Sequence, residues 1–268
     1  MSKIICKSKY LIFFSFFIFL FFTTHSFSKN EKECLVFLMH GTHGQAKWSG
    51  LNSISGFMGQ VCEVIRLDMP WGRVRDYDKS YEDALKELSQ KSDEYKKKGY
   101  KKIIMAGHSH GANASMAYQA FIGNADGIIA LAPGHNPEKL YKSKQNLKFN
   151  GIVDDAEKNI KSGKSDLKIR FNHPWYGHPL NVRSDILFSF FNPNGLGNMT
   201  KSCKNFKKST PILYIEGSKD KIKRGPDYAF NFAPKNSLNK YIVVEAGHSE
   251  VPDVSGKFVQ DWLKELIK

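Results

Sequence analysis

A serine between two glycines, directly after an apolar run, is the first candidate reactive group in the sequence. Ser109 is the centre of the pattern G-x-S-x-G, which Gly107 and Gly111 complete, and residues 102–106 precede it. A serine at the tip of a sharp strand-to-helix turn needs a strained backbone, and bulky side chains two residues away would clash. Glycine removes that clash. The pattern therefore predicts an exposed serine nucleophile on such a turn, with a serine that only caps a helix as the alternative.

Two later apolar runs end in residues that could assist a serine. Asp220 follows residues 212–216 and a glycine turn, and His248 follows residues 241–244 and a second glycine turn. Both would lie at the carboxyl ends of parallel strands, where sheets of this kind place their sites. The G-x-S-x-G turn and the order Ser, Asp, His along the chain resemble the α/β-hydrolase fold of serine esterases and lipases. The resemblance covers residues 34–266, most of the chain.

The resemblance implies a role for each of these three residues. Ser109 would be the nucleophile, His248 the general base and Asp220 the acid that orients the base. A serine hydroxyl is a weak nucleophile at neutral pH, so it needs a base such as a neutral imidazole to accept its proton. A buried carboxylate then fixes the tautomer of the imidazole and stabilises the imidazolium that forms. The alternative carboxylates are Glu216, Asp227 and Asp253. Glu216 fits less well because it lies within the predicted strand, and Asp253 fits less well because it follows the histidine.

A loop near the start of the chain offers hydrogen-bond donors for an oxyanion. The apolar residues 35–39 are followed by His40-Gly41-Thr42-His43-Gly44. In the fold that the chain resembles, an H-G pair after the first central strand opens the loop that supplies one oxyanion-hole amide. The resemblance therefore implies that the backbone N–H of Thr42 is one donor and that of His110 the other. A plain glycine turn is the alternative.

Several histidines at the predicted strand ends allow a second chemistry, in which imidazoles bind a zinc ion. They form the patterns H-x-x-H at 40–43 and H-x-H at 108–110. A catalytic zinc site usually adds a carboxylate at a recognisable spacing, and the sequence shows none. We therefore expect neither a metal nor an organic cofactor, and we expect a polar substrate pocket instead. Its expected lining residues are His40, His43, His108, His135 and Trp175.

Six predicted strands with helical stretches between them indicate an α/β protein. The expected architecture is a mostly parallel sheet of about six strands with helices on both faces. Between Gly134 and Thr210 the chain is longer than a minimal fold needs, so we expect a cap insertion at about residues 136–208, after the fourth strand. Amphipathic helices are predicted at residues 81–98 and 258–267. The predicted strands are residues 35–39, 61–67, 102–106, 127–131, 212–216 and 241–244.

The first residues have the features of a signal peptide. Lysines at positions 3, 7 and 9 precede an apolar stretch at residues 11–22, and serines at positions 26 and 28 suit a signal peptidase. We expect residues 1–28 to be removed and residues 29–268 to form one exported domain, secreted or periplasmic. An uncleaved membrane anchor is the alternative.

The cysteines left after that cleavage would meet an oxidising compartment, where thiols tend to pair. Cys34 lies six residues before His40, and Cys62 lies six before Asp68. In the fold that the chain resembles, the two strands that begin with these cysteines are parallel neighbours. We therefore predict a Cys34–Cys62 disulfide and a free Cys203, with three reduced thiols as the alternative.

The charge of the chain limits its partners. It has 40 Lys and Arg against 26 Asp and Glu, a formal net charge of +14. The lysines are scattered, and no arginine stripe or basic-aromatic repeat would track a phosphate backbone, so nucleic acid is not an expected partner. Weak association with anionic surfaces remains open.

These patterns together predict an exported serine hydrolase that acts through an acyl-enzyme. The expected substrate is a small-molecule or lipid carboxylic ester, with a thioester or amide as alternatives. Ester hydrolysis is favoured by analogy with small capped members of the fold. A non-catalytic binding protein on the same fold is the alternative from another class, and a histidine-cluster metallohydrolase is a weaker one.

Overall fold

A computed structural model of the chain describes residues 32–143, 147–173 and 179–268. These residues form a six-stranded sheet and a separate two-stranded hairpin. The expected signal peptide and Trp175 lie outside the described residues. Within the described part, no helix combines the length and the apolar character needed to cross a bilayer.

The large sheet has the strand order β2-β1-β3-β4-β7-β8, and each neighbouring pair is parallel. Each of the six predicted strands is present, with ends that differ by a few residues. The strands of this sheet are β1 (Lys32–Met39), β2 (Glu63–Leu67), β3 (Tyr100–His108), β4 (Gly127–Leu131), β7 (Ile212–Gly217) and β8 (Lys240–Val244). The hairpin pairs β5 (Lys168–Asn172) with β6 (Pro179–Arg183).

Helices cover both faces of the sheet, which explains why the central strands β4 and β7 are buried along their whole length. On one face α1 (Asn52–Gly59) packs against α9 (Gly256–Leu266). On the other face α2 (Tyr81–Lys97) and α3 (His110–Phe121) pack against β3. The predicted fold class is therefore confirmed. In chain order the helices are α1 (Asn52–Gly59), α2 (Tyr81–Lys97), α3 (His110–Phe121), α4 (Pro137–Lys142), α5 (Leu147–Lys161), α6 (Ser184–Phe191), α7 (Met199–Lys204), α8 (Val251–Val254) and α9 (Gly256–Leu266).

The segment between β4 and β7 contains α4 to α7 and the β5–β6 hairpin. It extends one face of the core: α6 packs against α2 and α5, and α7 packs against α3. Phe190 and Phe191 of α6 are buried in that core. The apolar side chains of α6 therefore pack against the body of the protein, and a capping role for the rest of the segment stays a prediction.

A disulfide joins Cys34 to Cys62, with a Cα–Cα distance of 4.9 Å. The register of β1 and β2 explains the pairing, because Leu35 lies opposite Glu63 and each cysteine directly precedes one of these residues. Cys203 is free and buried. Both parts of the cysteine prediction are therefore confirmed.

Candidate active site

Ser109 occupies the turn between β3 and α3 with φ 56° and ψ −114°, a backbone conformation that non-glycine residues rarely adopt. The flanking glycines permit the turn. A Cβ on Gly107 would lie 2.2 Å from the carbonyl carbon of Gly111, and a Cβ on Gly111 would lie 2.4 Å from the carbonyl oxygen of Met39. Ser109 stands at the N-cap of α3, yet its side chain makes no capping hydrogen bond. The hydroxyl is therefore available for another partner.

That partner is His248, in the loop after β8. The Ser109 hydroxyl donates to His248 Nε2 at 2.9 Å, and His248 Nδ1 donates to Asp220 Oδ2 at 2.7 Å. The three residues follow β3, β7 and β8, whose carboxyl ends meet at one edge of the sheet. The structure thus brings together the serine, histidine and carboxylate that the sequence singles out.

The Asp220 side chain is almost fully buried, at 2% exposure. Burial alone would raise the pKa of Asp220, but hydrogen bonds from His248 and from the Ile222 amide outweigh it and hold the pKa below its usual value. Asp220 is therefore ionised at neutral pH, as a carboxylate that stabilises an imidazolium must be.

Glu216, one of the alternative acids, has a different set of partners. Its carboxylate accepts hydrogen bonds from the Arg224 and Gly225 amides at 3.0 and 3.1 Å. The Tyr241 hydroxyl donates to it at 2.6 Å. Glu216 therefore holds together the loop that carries Asp220, and it does not contact His248.

The loop after β1 passes directly over the serine, since a Cβ on Gly41 would lie 3.0 Å from Ser109 Cβ. Among the described residues, the backbone N–H groups of Thr42 and His110 have no hydrogen-bond acceptor. The side chains of these two residues share a hydrogen bond of 3.1 Å between Thr42 Oγ1 and His110 Nδ1. Two donors without acceptors beside a serine are what an oxyanion hole requires.

A cavity of about 730 Å³ opens in front of Ser109. Three of the histidines expected in the pocket, His43, His108 and His135, line it. His40 does not, and that expectation is wrong. Its ring is fully buried, its Nδ1 donates to the Gly41 carbonyl at 2.7 Å, and its Nε2 accepts from the Met69 amide at 3.0 Å.

One ring nitrogen of His108 and one of His135 also have protein partners. His108 Nε2 donates to the carbonyl of His248 at 2.9 Å, and His135 Nε2 donates to the carbonyl of Phe190 at 2.8 Å. In the described ranges, no three His, Cys, Asp or Glu side chains are arranged to hold a metal ion. The geometry therefore offers no support for the alternative chemistry through zinc.

No protein family and no curated protein sequence matches this chain. Several solved structures do resemble it. Est1E from Butyrivibrio proteoclasticus, solved with ferulic acid bound, has a TM-score of 0.59 at 17% identity, over 90% of each chain. A monoacylglycerol lipase from Paleococcus ferrophilus has a TM-score of 0.58 at 17% identity, over 87% of this chain and 94% of the other. An extracellular α/β-hydrolase from a Paenibacillus species has a TM-score of 0.52 at 16% identity, over 87% and 98%.

The chain has the α/β-hydrolase fold.

Two residues near Ser109 carried no signal in the sequence. A Cβ on Gly134 would lie 2.6 Å from Ser109 Oγ, so only glycine leaves room for the hydroxyl there. Trp71 braces the loop after β1, because its indole N–H donates to the His40 carbonyl and its own carbonyl accepts from the His43 amide. A glycine after a strand and a buried tryptophan are too common to indicate either contact.

Behind the serine lies a stack of aromatic rings. The His110 ring lies between Trp71 and His135, with centroid distances of 4.3 and 3.7 Å. Burial, and secondarily the neighbouring His135, holds the pKa of His110 well below its usual value. The ring is therefore neutral at neutral pH and packs as an uncharged aromatic group.

Burial has the same effect on three further histidines, and it predicts sensitivity to acid. It lowers the pKa of His108 and His135 to about 4 and that of His173 to about 3. The unfolded chain, with histidine pKa values near 6.5, binds more protons than the folded one between about pH 4 and 6.5. The stability that depends on these neutral rings is therefore lost as the pH falls through this range. Together with His110, we expect a loss of roughly 5 kcal/mol between pH 7.5 and 5.5.

Urea unfolding at these two pH values measures the effect. An unfolding free energy that stays constant over this range would contradict the burial of uncharged histidines.

Proposed function

We propose that this chain is an exported serine hydrolase that cleaves a carboxylic ester, with a thioester or amide as less favoured substrates. The observation that carries the proposal is the continuous hydrogen-bond chain from Ser109 through His248 to the buried Asp220, with an open cavity in front of the serine. A protein that only binds its ligand has no use for a hydroxyl bonded to a base and a buried carboxylate. The arrangement therefore favours catalysis over the non-catalytic alternative.

In the proposed mechanism, Ser109 Oγ attacks the carbonyl carbon of the ester while His248 Nε2 accepts its proton. The oxyanion that forms accepts hydrogen bonds from the backbone N–H groups of Thr42 and His110. Asp220 stabilises the imidazolium, which then protonates the leaving alcohol. Water attacks the acyl-enzyme in the same way and releases the acid. No metal or organic cofactor takes part in the proposed reaction.

The structural neighbours favour an ester as the substrate. One, Est1E, was solved with ferulic acid bound, and another is a monoacylglycerol lipase. A small-molecule or lipid ester is therefore the proposed substrate class, as in carboxylesterases and lipases.

Export is part of the proposal. The Cys34–Cys62 bond supports it, because disulfides form and persist mainly in oxidising compartments. The basic and apolar residues at the start of the chain support it independently. Amino-terminal sequencing of protein recovered from the periplasm or the medium should then begin at Lys29.

A fluorophosphonate probe tests the reaction class. It phosphonylates serines that an adjacent base activates, so the probe should label the protein once, on the peptide that contains Ser109. Prior heating should abolish the labelling, because the probe requires the folded site. Labelling of another residue, or none in the folded protein, would refute the serine-hydrolase proposal.

The hydrogen bond between Thr42 and His110 predicts a positioning role for the Thr42 hydroxyl, because it links the two residues whose amides form the proposed oxyanion hole. Thr42→Val keeps the shape of the side chain and removes the bond. We expect kcat to fall about tenfold with KM within about twofold, since the oxyanion exists only in the transition state. Thr42→Ser keeps the hydroxyl and should retain most of the activity. Equal losses in the two variants would mean that the hydroxyl has no such role.

A further inference from the structure

The cavity in front of Ser109 has a strongly one-sided charge. The cationic side chains that line it are Arg73, Lys219 and Lys221. Among the described residues, Asp220 is the only carboxylate in the lining, and it is buried and bonded to His248. The potential that a substrate meets on entering the cavity is therefore positive.

Two of these three cations have no carboxylate partner in the described residues. Lys219 pairs with Glu245 at 3.0 Å, whereas Arg73 and Lys221 form no ion pair. Both side chains are exposed at the cavity. They are therefore available to a ligand.

Arg73 is also held in place. Its backbone N–H donates to the Gly44 carbonyl at 3.1 Å, and its Nη2 donates to His43 Nε2 at 3.3 Å. This contact directs the guanidinium toward His43, which itself lines the cavity. A guanidinium with unused N–H donors matches the two oxygens of a carboxylate or phosphate.

The order of the strands in the sheet places Arg73 and Lys221 on opposite sides of Ser109. Arg73 follows β2 and Lys221 follows β7, and these strands lie on opposite sides of β3, which carries Ser109. Trp48 and Ile222 add apolar surface to the same cavity. An ester with an apolar body and an anionic end would satisfy both kinds of surface.

We propose that the preferred substrate is an ester that carries a carboxylate or a chemically similar anion, which Arg73 binds while Lys221 adds to the positive potential. The proposal rests on the proposed function, because it assigns a substrate class to the same site. It makes Arg73 a specificity-determining residue rather than part of the acyl-transfer chemistry.

Two matched pairs of substrates test it, one for each arm of the ester. In the acyl arm, 4-nitrophenyl hemiglutarate is compared with 4-nitrophenyl methyl glutarate. In the leaving-group arm, the butyryl ester of 4-hydroxybenzoic acid is compared with that of methyl 4-hydroxybenzoate. We expect wild-type kcat/KM to favour the anionic member of at least one pair by about tenfold at low salt, and the preference to shrink at 1 M salt.

Arg73→Gln should reduce that preference to about twofold or less. Arg170→Gln is the matched control, since it removes an exposed arginine from β5, away from the cavity, and it should leave the preference unchanged. Equal or lower kcat/KM for both anionic esters would overturn the proposal, as would a preference that survives Arg73→Gln. Turnover of the neutral esters distinguishes the two proposals. If only the anion preference is wrong, the neutral esters are still hydrolysed; if the proposed function is wrong, none of the four esters is hydrolysed.

Discussion

Replacing Ser109 by alanine is expected to lower kcat for an activated ester by about 10,000-fold or more. The substitution removes the proposed nucleophile, and only the two proposed amide donors and substrate binding remain. Initial rates with a 4-nitrophenyl ester measure the loss, and fluorophosphonate labelling should disappear with it. Because alanine and serine differ by one oxygen, the variant should retain the wild-type thermal unfolding profile.

Ser218→Ala is a suitable control for this experiment. Ser218 is exposed in the same loop as Asp220 but does not line the cavity, so turnover should stay within about twofold of wild type. Unchanged turnover in Ser109→Ala would exclude Ser109 as the nucleophile and the acyl-enzyme route with it.

The second large effect is expected for Asp220→Asn, with a fall in kcat of about 10,000-fold. An asparagine of the same shape can present its amide to His248 Nδ1, which favours the tautomer that cannot accept the serine proton. It also leaves the imidazolium without a compensating charge. The pKa of Asp220 lies below its usual value, so this charge is present over the whole neutral range.

Glu216→Gln separates this role from a purely structural one. Glu216 is equally buried but bonds to the Arg224 and Gly225 amides, so its loss should lower the free energy of unfolding more than it lowers kcat per folded molecule. Asp220→Asn should instead lower kcat per folded molecule more than it lowers the free energy of unfolding. If the two variants behaved alike, Asp220 would have no special relation to His248.

The central strands of the large sheet could be predicted from the sequence because parallel strands covered on both faces contain long apolar runs, such as residues 35–39 and Gly127–Leu131. The edge strands β2 and β8 are less buried. Ser109, Asp220 and His248 could be predicted because each directly follows one of the predicted strands. The disulfide followed from the resemblance and equal distances to the strand ends. These features depend on the local pattern of residues and on the order of the strands along the chain, and both can be read from the sequence.

Other contacts of the site depend on how distant segments pack, and the sequence does not display them. His40 directly follows β1, in the same loop as the pocket residue His43. Its ring nevertheless points inward, where it accepts a hydrogen bond from the Met69 amide in the loop after β2. The stacking of His110 between Trp71 and His135 joins the start of α3 to two separate loops. The closeness of Gly134 to Ser109 is equally a product of tertiary structure.

The Cys34–Cys62 bond has a consequence for self-association. β2 is an edge strand, and an edge strand that detaches leaves the hydrogen-bonding groups of β1 open to a strand from another molecule. The disulfide tethers β2 at its amino-terminal side, whereas Ser109, Asp220 and His248 lie at the opposite ends of the strands. Reduction should therefore promote aggregation through strand exchange, while molecules that remain monomeric keep the arrangement of Ser109, Asp220 and His248 intact.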